Sequence, residues 1–127
     1  MWNIYTPYAN RHCFWNQMES LVLLKSESLI IAVDYNVILS RNEYWGLMGN
    51  GNTLSDCLNT LFGDNHLVDI FPNPLEHMWH NGKSGGEFIG KRNYHFMVHH
   101  NMFEVLGNLR SKVDKIYISD RCPIILQ

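Results

Sequence analysis

The sequence predicts a mixed α+β domain built in layers, and three observations predict it. Phe14, Met18, Leu21 and Val22 recur at helical spacing. Leu29-Ile30-Ile31-Ala32-Val33 runs apolar without alternation, as a strand covered on both faces does. Short β-branched and aromatic segments bounded by Pro, Gly and Asn then recur to the C-terminus. At 127 residues the chain is sized for one domain, residues 1–127.

Taken in order, Trp2–Tyr5 reads as a short strand that Pro7 ends. A helix carries the Phe14–Val22 stripe and places Lys25 near its C-terminus, where a cation is favoured; Ser26-Glu27-Ser28 breaks it. The strand Leu29–Val33 ends in the polar group Asp34-Tyr35-Asn36, and in layered α/β proteins sites collect at such strand ends. A Gly/Asn-rich stretch follows, Gly46 to Asn52. Thr53-x-x-Asp56 resembles a capping box, Leu54, Leu58 and Leu61 share one face, and Gly63 suits the position after the last turn, so residues 54–62 read as a helix. Leu67–Phe71 is a strand closed by Pro72-Asn73-Pro74. His77–His80 and Gly90–Val98 are strands joined through Asn81-Gly82 and Gly85-Gly86. Met102–Leu109 reads as a helical turn, Val113–Ile118 as a strand, and Pro123–Leu126 as a last strand. The total is about six or seven short strands with two or three helices.

Composition narrows the class. Ten Lys+Arg against twelve Asp+Glu give a net charge of −2, which excludes a strongly basic nucleic-acid arm and an acidic tail. Hydrophobic residues at 46% argue against disorder and imply a core of reasonable size or apolar surface that expects a partner. Cys13, Cys57 and Cys122 are too few and too scattered for a disulfide framework or a C-x-x-C zinc site. The N-terminus has no signal-peptide pattern and no run can span a bilayer, so a soluble intracellular protein without membrane contact is expected. His77, His80, His95, His99 and His100 show no zinc-ligand spacing and read as surface and loop residues. Trp45 and Trp79 read as half-buried aromatics.

Four separated pieces, in order, are similar to one superfamily. Asn3-Ile4-Tyr5-Thr6-Pro7 with Arg11, Phe14 and Trp15 resembles an N-V-Y-x-P-N…FW segment. Ile30–Asn36 resembles the strand end I-I-G-G-D-F-N. Leu67-Val68-Asp69-Ile70-Phe71, Met78-Trp79 and Lys91–Val98 resemble L-V-D-x-W, Y-T-W and R-L-D-R-F-L-V. Ser119-Asp120-Arg121-Cys122-Pro123-Ile124 resembles S-D-H-C-P-I. Together they resemble the endonuclease/exonuclease/phosphatase superfamily, the DNase I-like proteins, and within it the endonuclease of plant non-LTR retrotransposons.

That resemblance implies a partial four-layer α/β/β/α sandwich, entered in mid-domain. The family's early metal-binding Glu and first Asn then have no counterpart, and exposed core surface favours self-association. It implies Mg²⁺-assisted hydrolysis of DNA or RNA phosphodiesters. Asp34 matches the water-positioning Asp, Asn36 its phosphate-holding Asn, Tyr5 the Tyr beside the scissile phosphate, and Asp120 the Asp next to the metal. Arg121 occupies the His position and Tyr94 that of the Asp that steers it. Arg stays protonated and cannot shuttle a proton, and Tyr is a poor orienting anion. The expectation is a degenerate, catalytically impaired fragment. An active nuclease completed by a partner segment and a non-catalytic nucleic-acid- or protein-binding module stand as the alternatives.

Overall fold

A computed structural model of the chain describes residues 1–47, 53–115 and 119–127, with Val22 described for its backbone alone. The domain is mixed α+β. Its central sheet has the order β1-β2-β7-β4, from β1 (Trp2–Tyr5), β2 (Ile30–Asp34), β7 (Tyr94–His99) and β4 (Leu67–Asp69). β1 and β2 are parallel and therefore need a crossover, which α1 (Arg11–Ser20) provides. β7 is antiparallel to both β2 and β4. A second sheet orders β3 (Tyr44–Trp45), β6 (Gly90–Lys91) and β5 (Trp79–His80), and β8 (Ser111–Val113) pairs with β9 (Ile124–Leu126).

The alternation of β2 and β7 divides two apolar layers. Ile31, Val33 and Met97 point to one side, where Trp15 of α1 and Leu54, Leu58, Leu61 and Phe62 of α2 (Thr53–Asp64) cover them. Ile30, Ala32, Phe96 and Val98 point to the other side, toward Met102 and Phe103 of α3 (His100–Leu106) and Ile124 and Leu126 of β9. The unalternating run in β2 is thus covered on both faces, as read from sequence.

Several boundaries differ from the sequence reading, each for a local reason. The first helix stops at Ser20, because Leu21 is extended; a 3₁₀ turn, Val22–Lys25, follows. Trp15 is the buried residue of α1, Phe14 and Met18 are part-buried, Leu21 is exposed, and Leu24 of the turn is fully buried. The second helix passes through Gly63 and ends at Asp64. Its terminator is His66 in the left-handed region (φ 54), with its N–H donating to the Gly63 carbonyl at 3.1 Å. α2 opens at Thr53, so Thr53 is helical and the cap position before it is outside the described residues, as is the stretch 48–52. The strand expected over Gly90–Val98 is two strands parted at Arg92-Asn93. The C-terminal helix begins earlier than expected, at His100, and β8 begins at Ser111; positions 116–118 of that expected strand are outside the described residues. The cysteines are free, as expected.

Two substitutions test this packing. Leu58, 1% exposed, is enclosed by the helical layer, so Leu58→Ala costs about 2–5 kcal/mol in urea unfolding. His66 holds a left-handed conformation that glycine adopts freely, so His66→Gly raises stability by up to about 1 kcal/mol.

Candidate functional site

The polar end of β2 is pinned from three directions. Tyr5 and Asp34 are partners in the parallel register, and Thr6 N–H donates to the Asp34 carbonyl at 2.9 Å. Asp34 Oδ1 accepts the Asn36 N–H at 3.0 Å, closing a tight turn in which Asn36 has φ 50. Asn36 Nδ2 donates to the Thr6 carbonyl at 2.9 Å, and its own carbonyl accepts Arg11 Nη1 at 2.7 Å. The turn is therefore locked to the end of β1 and the start of α1.

Tyr94 lies opposite Asp34 in the β2–β7 register, on the same face. Arg121 reaches that face from the loop before β9. Its Nη1 donates to the Tyr94 hydroxyl at 2.6 Å and lies 3.7 Å from Asp34 Oδ2. The two positions that the resemblance pairs are thus bonded to each other, as a phenol and a guanidinium. The Arg121 pKa is raised by the Tyr94 bond first and by Asp34 and Asp120 after it. Asp34 is 6% exposed, and burial raises its pKa above 3.8 against the Asn36 N–H, Arg121 and His95, which lower it. Asp120 neighbours Arg121 in sequence, but its Oδ2 accepts the Trp79 indole N–H at 3.1 Å and its carbonyl accepts His80 N–H at 3.1 Å.

The structure therefore brings Asp34, Tyr94 and Arg121 into contact, flanks them with Tyr5 and Asn36, and turns Asp120 toward Trp79. A divalent ion does not fit this strand end. The guanidinium beside Asp34 repels it, and the Asp120 carboxylate is occupied by the Trp79 indole N–H.

Sequence reading missed a buried ionic network behind this site. Arg92, fully buried, forks onto Asp69 (Nη1 to Oδ2 and Nη2 to Oδ1, each 2.7 Å) and also bonds Glu43 Oε1 at 2.7 Å. His95 Nδ1 lies 2.8 Å from Asp69 Oδ2. The second oxygen of Glu43 accepts the N–H groups of Leu39 at 2.7 Å and Ser40 at 3.2 Å. Glu43, Asp69 and His95 have donor atoms within 4.8 Å of one another, close enough to hold a metal ion, although here Arg92 already neutralises the carboxylates. His95 (1% exposed) and His99 (5%) correct the expectation of surface histidines. In β7, both alternate with Phe96 and Val98 and face the helical layer with Met97. The available signal was an Arg and a His interrupting an apolar strand; nothing in the spacing joined them to Glu43.

Comparison with models of known families finds no match to this chain, and comparison with curated proteins finds none either. Among the described residues no helix is long and apolar enough to cross a membrane.

Two predictions separate the network from the strand end. Burial alone would raise the Asp69 pKa, but the hydrogen bonds from Arg92 and His95 outweigh it and hold it below 3.8. Its stabilising contribution is therefore complete above that pH and is lost as pH falls through the folded value. Asp69→Asn strands a buried guanidinium, costs about 3–5 kcal/mol in denaturant unfolding, and removes part of the acid limb of the stability profile. Asp34 has the opposite sign. Its charge opposes folding once pH rises past the ordinary carboxyl value, so Asp34→Asn raises Tm near pH ~7 and gives no gain near pH ~3. Thermal unfolding at the two pH values checks this.

Proposed function

We propose that this chain is a degenerate member of the DNase I-like lineage, a phosphodiesterase scaffold for DNA or RNA with an impaired catalytic centre. The reading takes the β1-β2-β7-β4 sheet as one of the two sheets of an α/β/β/α sandwich. What supports it is the meeting of Tyr5, Asp34, Asn36, Tyr94 and Arg121, drawn from distant parts of the chain, at one strand end.

The observation that carries the impairment is Arg121. Its guanidinium bonds Tyr94 at 2.6 Å and stands 3.7 Å from Asp34 Oδ2. General acid–base work needs a group that gives and takes a proton near neutral pH. Arg121 keeps its proton, and the Tyr94 hydroxyl accepts from it, so the phenol offers no anion to orient an imidazole. The same guanidinium neutralises Asp34, the carboxylate that the resemblance assigns to positioning water. In this lineage a divalent metal stabilises charge on the phosphate; the strand end of this chain, with its own cation in place, does not gather the donors for one.

Nicking of supercoiled plasmid in Mg²⁺ tests the reading. The folded chain leaves the plasmid intact, and Tyr94→Asp with Arg121→His gains about 100-fold or more in nicking. That gain disappears when Asp34→Ala is added. Nicking by the unmodified chain that Asp34→Ala abolishes would overturn the impairment. No gain in the folded double variant would overturn the assignment of the impairment to the Tyr94–Arg121 pair.

A further inference from the structure

At the opposite end of the central sheet three imidazoles meet. His66 ends α2 in the left-handed conformation, His99 ends β7, and His100 opens α3. The His100 N–H donates to the His66 carbonyl at 3.0 Å, and His99 N–H donates to the Leu29 carbonyl at 3.0 Å, so the three backbones are tied together. Ring centroids lie 4.8 Å apart for His99 and His100, 5.4 Å for His66 and His100, and 6.1 Å for His66 and His99.

We propose that His66, His99 and His100 form a surface site for a divalent transition-metal ion of the zinc class. Two imidazoles bound to one tetrahedral ion at about 2.1 Å put their ring centroids roughly 5 Å apart, close to the spacings found here. Nitrogen donors select zinc-class ions over Mg²⁺, which prefers oxygen.

As the rings stand, their nitrogens do not yet converge at ligand spacing. His66 and His100 are exposed, and turning their side chains closes the gap, while His99 is buried and supplies the fixed donor. His99 Nδ1 accepts the Asn101 N–H at a long 3.3 Å. Coordination through Nε2 moves the ring proton to Nδ1 and releases that N–H, which gives the site a spectroscopic signature.

Zinc is titrated calorimetrically into chain stripped with a chelator, at neutral pH. A single ion binds per chain, Mg²⁺ does not compete, and the Asn101 amide shifts in the NMR spectrum. His100→Gln and His66→Gly each weaken binding by about tenfold or more. Both variants are at exposed positions, and His66→Gly keeps or raises Tm in chelator, so their loss of zinc is not loss of fold. His77→Gln, in a separate histidine pair, binds as the unmodified chain does. Absence of zinc binding, binding unchanged in His66→Gly and His100→Gln, or binding lost in His77→Gln would each overturn the proposal.

Discussion

Arg92 sits where the two larger sheets and the central loop must agree, and it is fully buried. Its guanidinium bonds Asp69 at the end of β4 and Glu43 at the end of a 3₁₀ turn, while its backbone N–H donates to the Glu43 carbonyl at 3.0 Å. The ring of Phe71 lies 4.5 Å from the guanidinium carbon. A buried charge is tolerable only when opposite charges compensate it, because the interior cannot replace lost water; here the Glu43 and Asp69 carboxylates do so, while the Arg92 Nε–H has no partner among the described residues. The network therefore constrains residues 39–43, 69–71 and 92–95 together. It acts as a condition on the fold more than as a source of net stability, since well-packed apolar residues in the same space would cost less to bury.

This constraint reaches the strand end through Tyr35. That residue is fully buried, its ring centroid 4.7 Å from His95 and 5.5 Å from Trp15, and its N–H donates to the Asn93 carbonyl at 3.0 Å. Asp34 and Asn36 flank it on either side. One turn thus joins a residue anchored in the core to Asp34, which faces the Arg121–Tyr94 pair, and to Asn36, which ties the turn to Thr6 and Arg11. The turn is rigid because its backbone groups are spoken for, by Thr6, Arg11 and Asn93. Rigidity of this kind suits a positioned carboxylate. In this chain the carboxylate's neighbour is a cation that does not release its proton, and the order around Asp34 serves an ion pair.

The two ends of the central sheet have different electrostatic character for a topological reason. β7 is antiparallel to β2, so its Tyr94 end meets Asp34 and the 119–121 loop, and its His99 end meets Leu29 and the loop that closes α2. The first end gathers a carboxylate, a phenol and a guanidinium. The second gathers imidazoles, whose donors suit a borderline metal better than a phosphate.

These elements were legible in the sequence because each carries its own local signal: β1 a β-branched and aromatic segment, β2 an apolar run without alternation, and α2 the helical spacing of Leu54, Leu58 and Leu61. The polar end of β2 was legible for the same reason, as a charge directly after an apolar run. Helix ends were less so, since Leu21 and His66 end helices through backbone dihedrals that residue type only weakly prefers. The Glu43–Asp69–Arg92–His95 network was not legible, because its members are 3 to 52 residues apart in the numbering and only the strand register sets them within bonding distance. The sequence by itself determined which segments are apolar enough to become strands and helices, since that follows from each residue's own transfer free energy. Which charges face one another, and so whether Asp34 stands free or neutralised, was decided by the tertiary structure alone, because a Coulombic contact depends on distance in space and not along the chain.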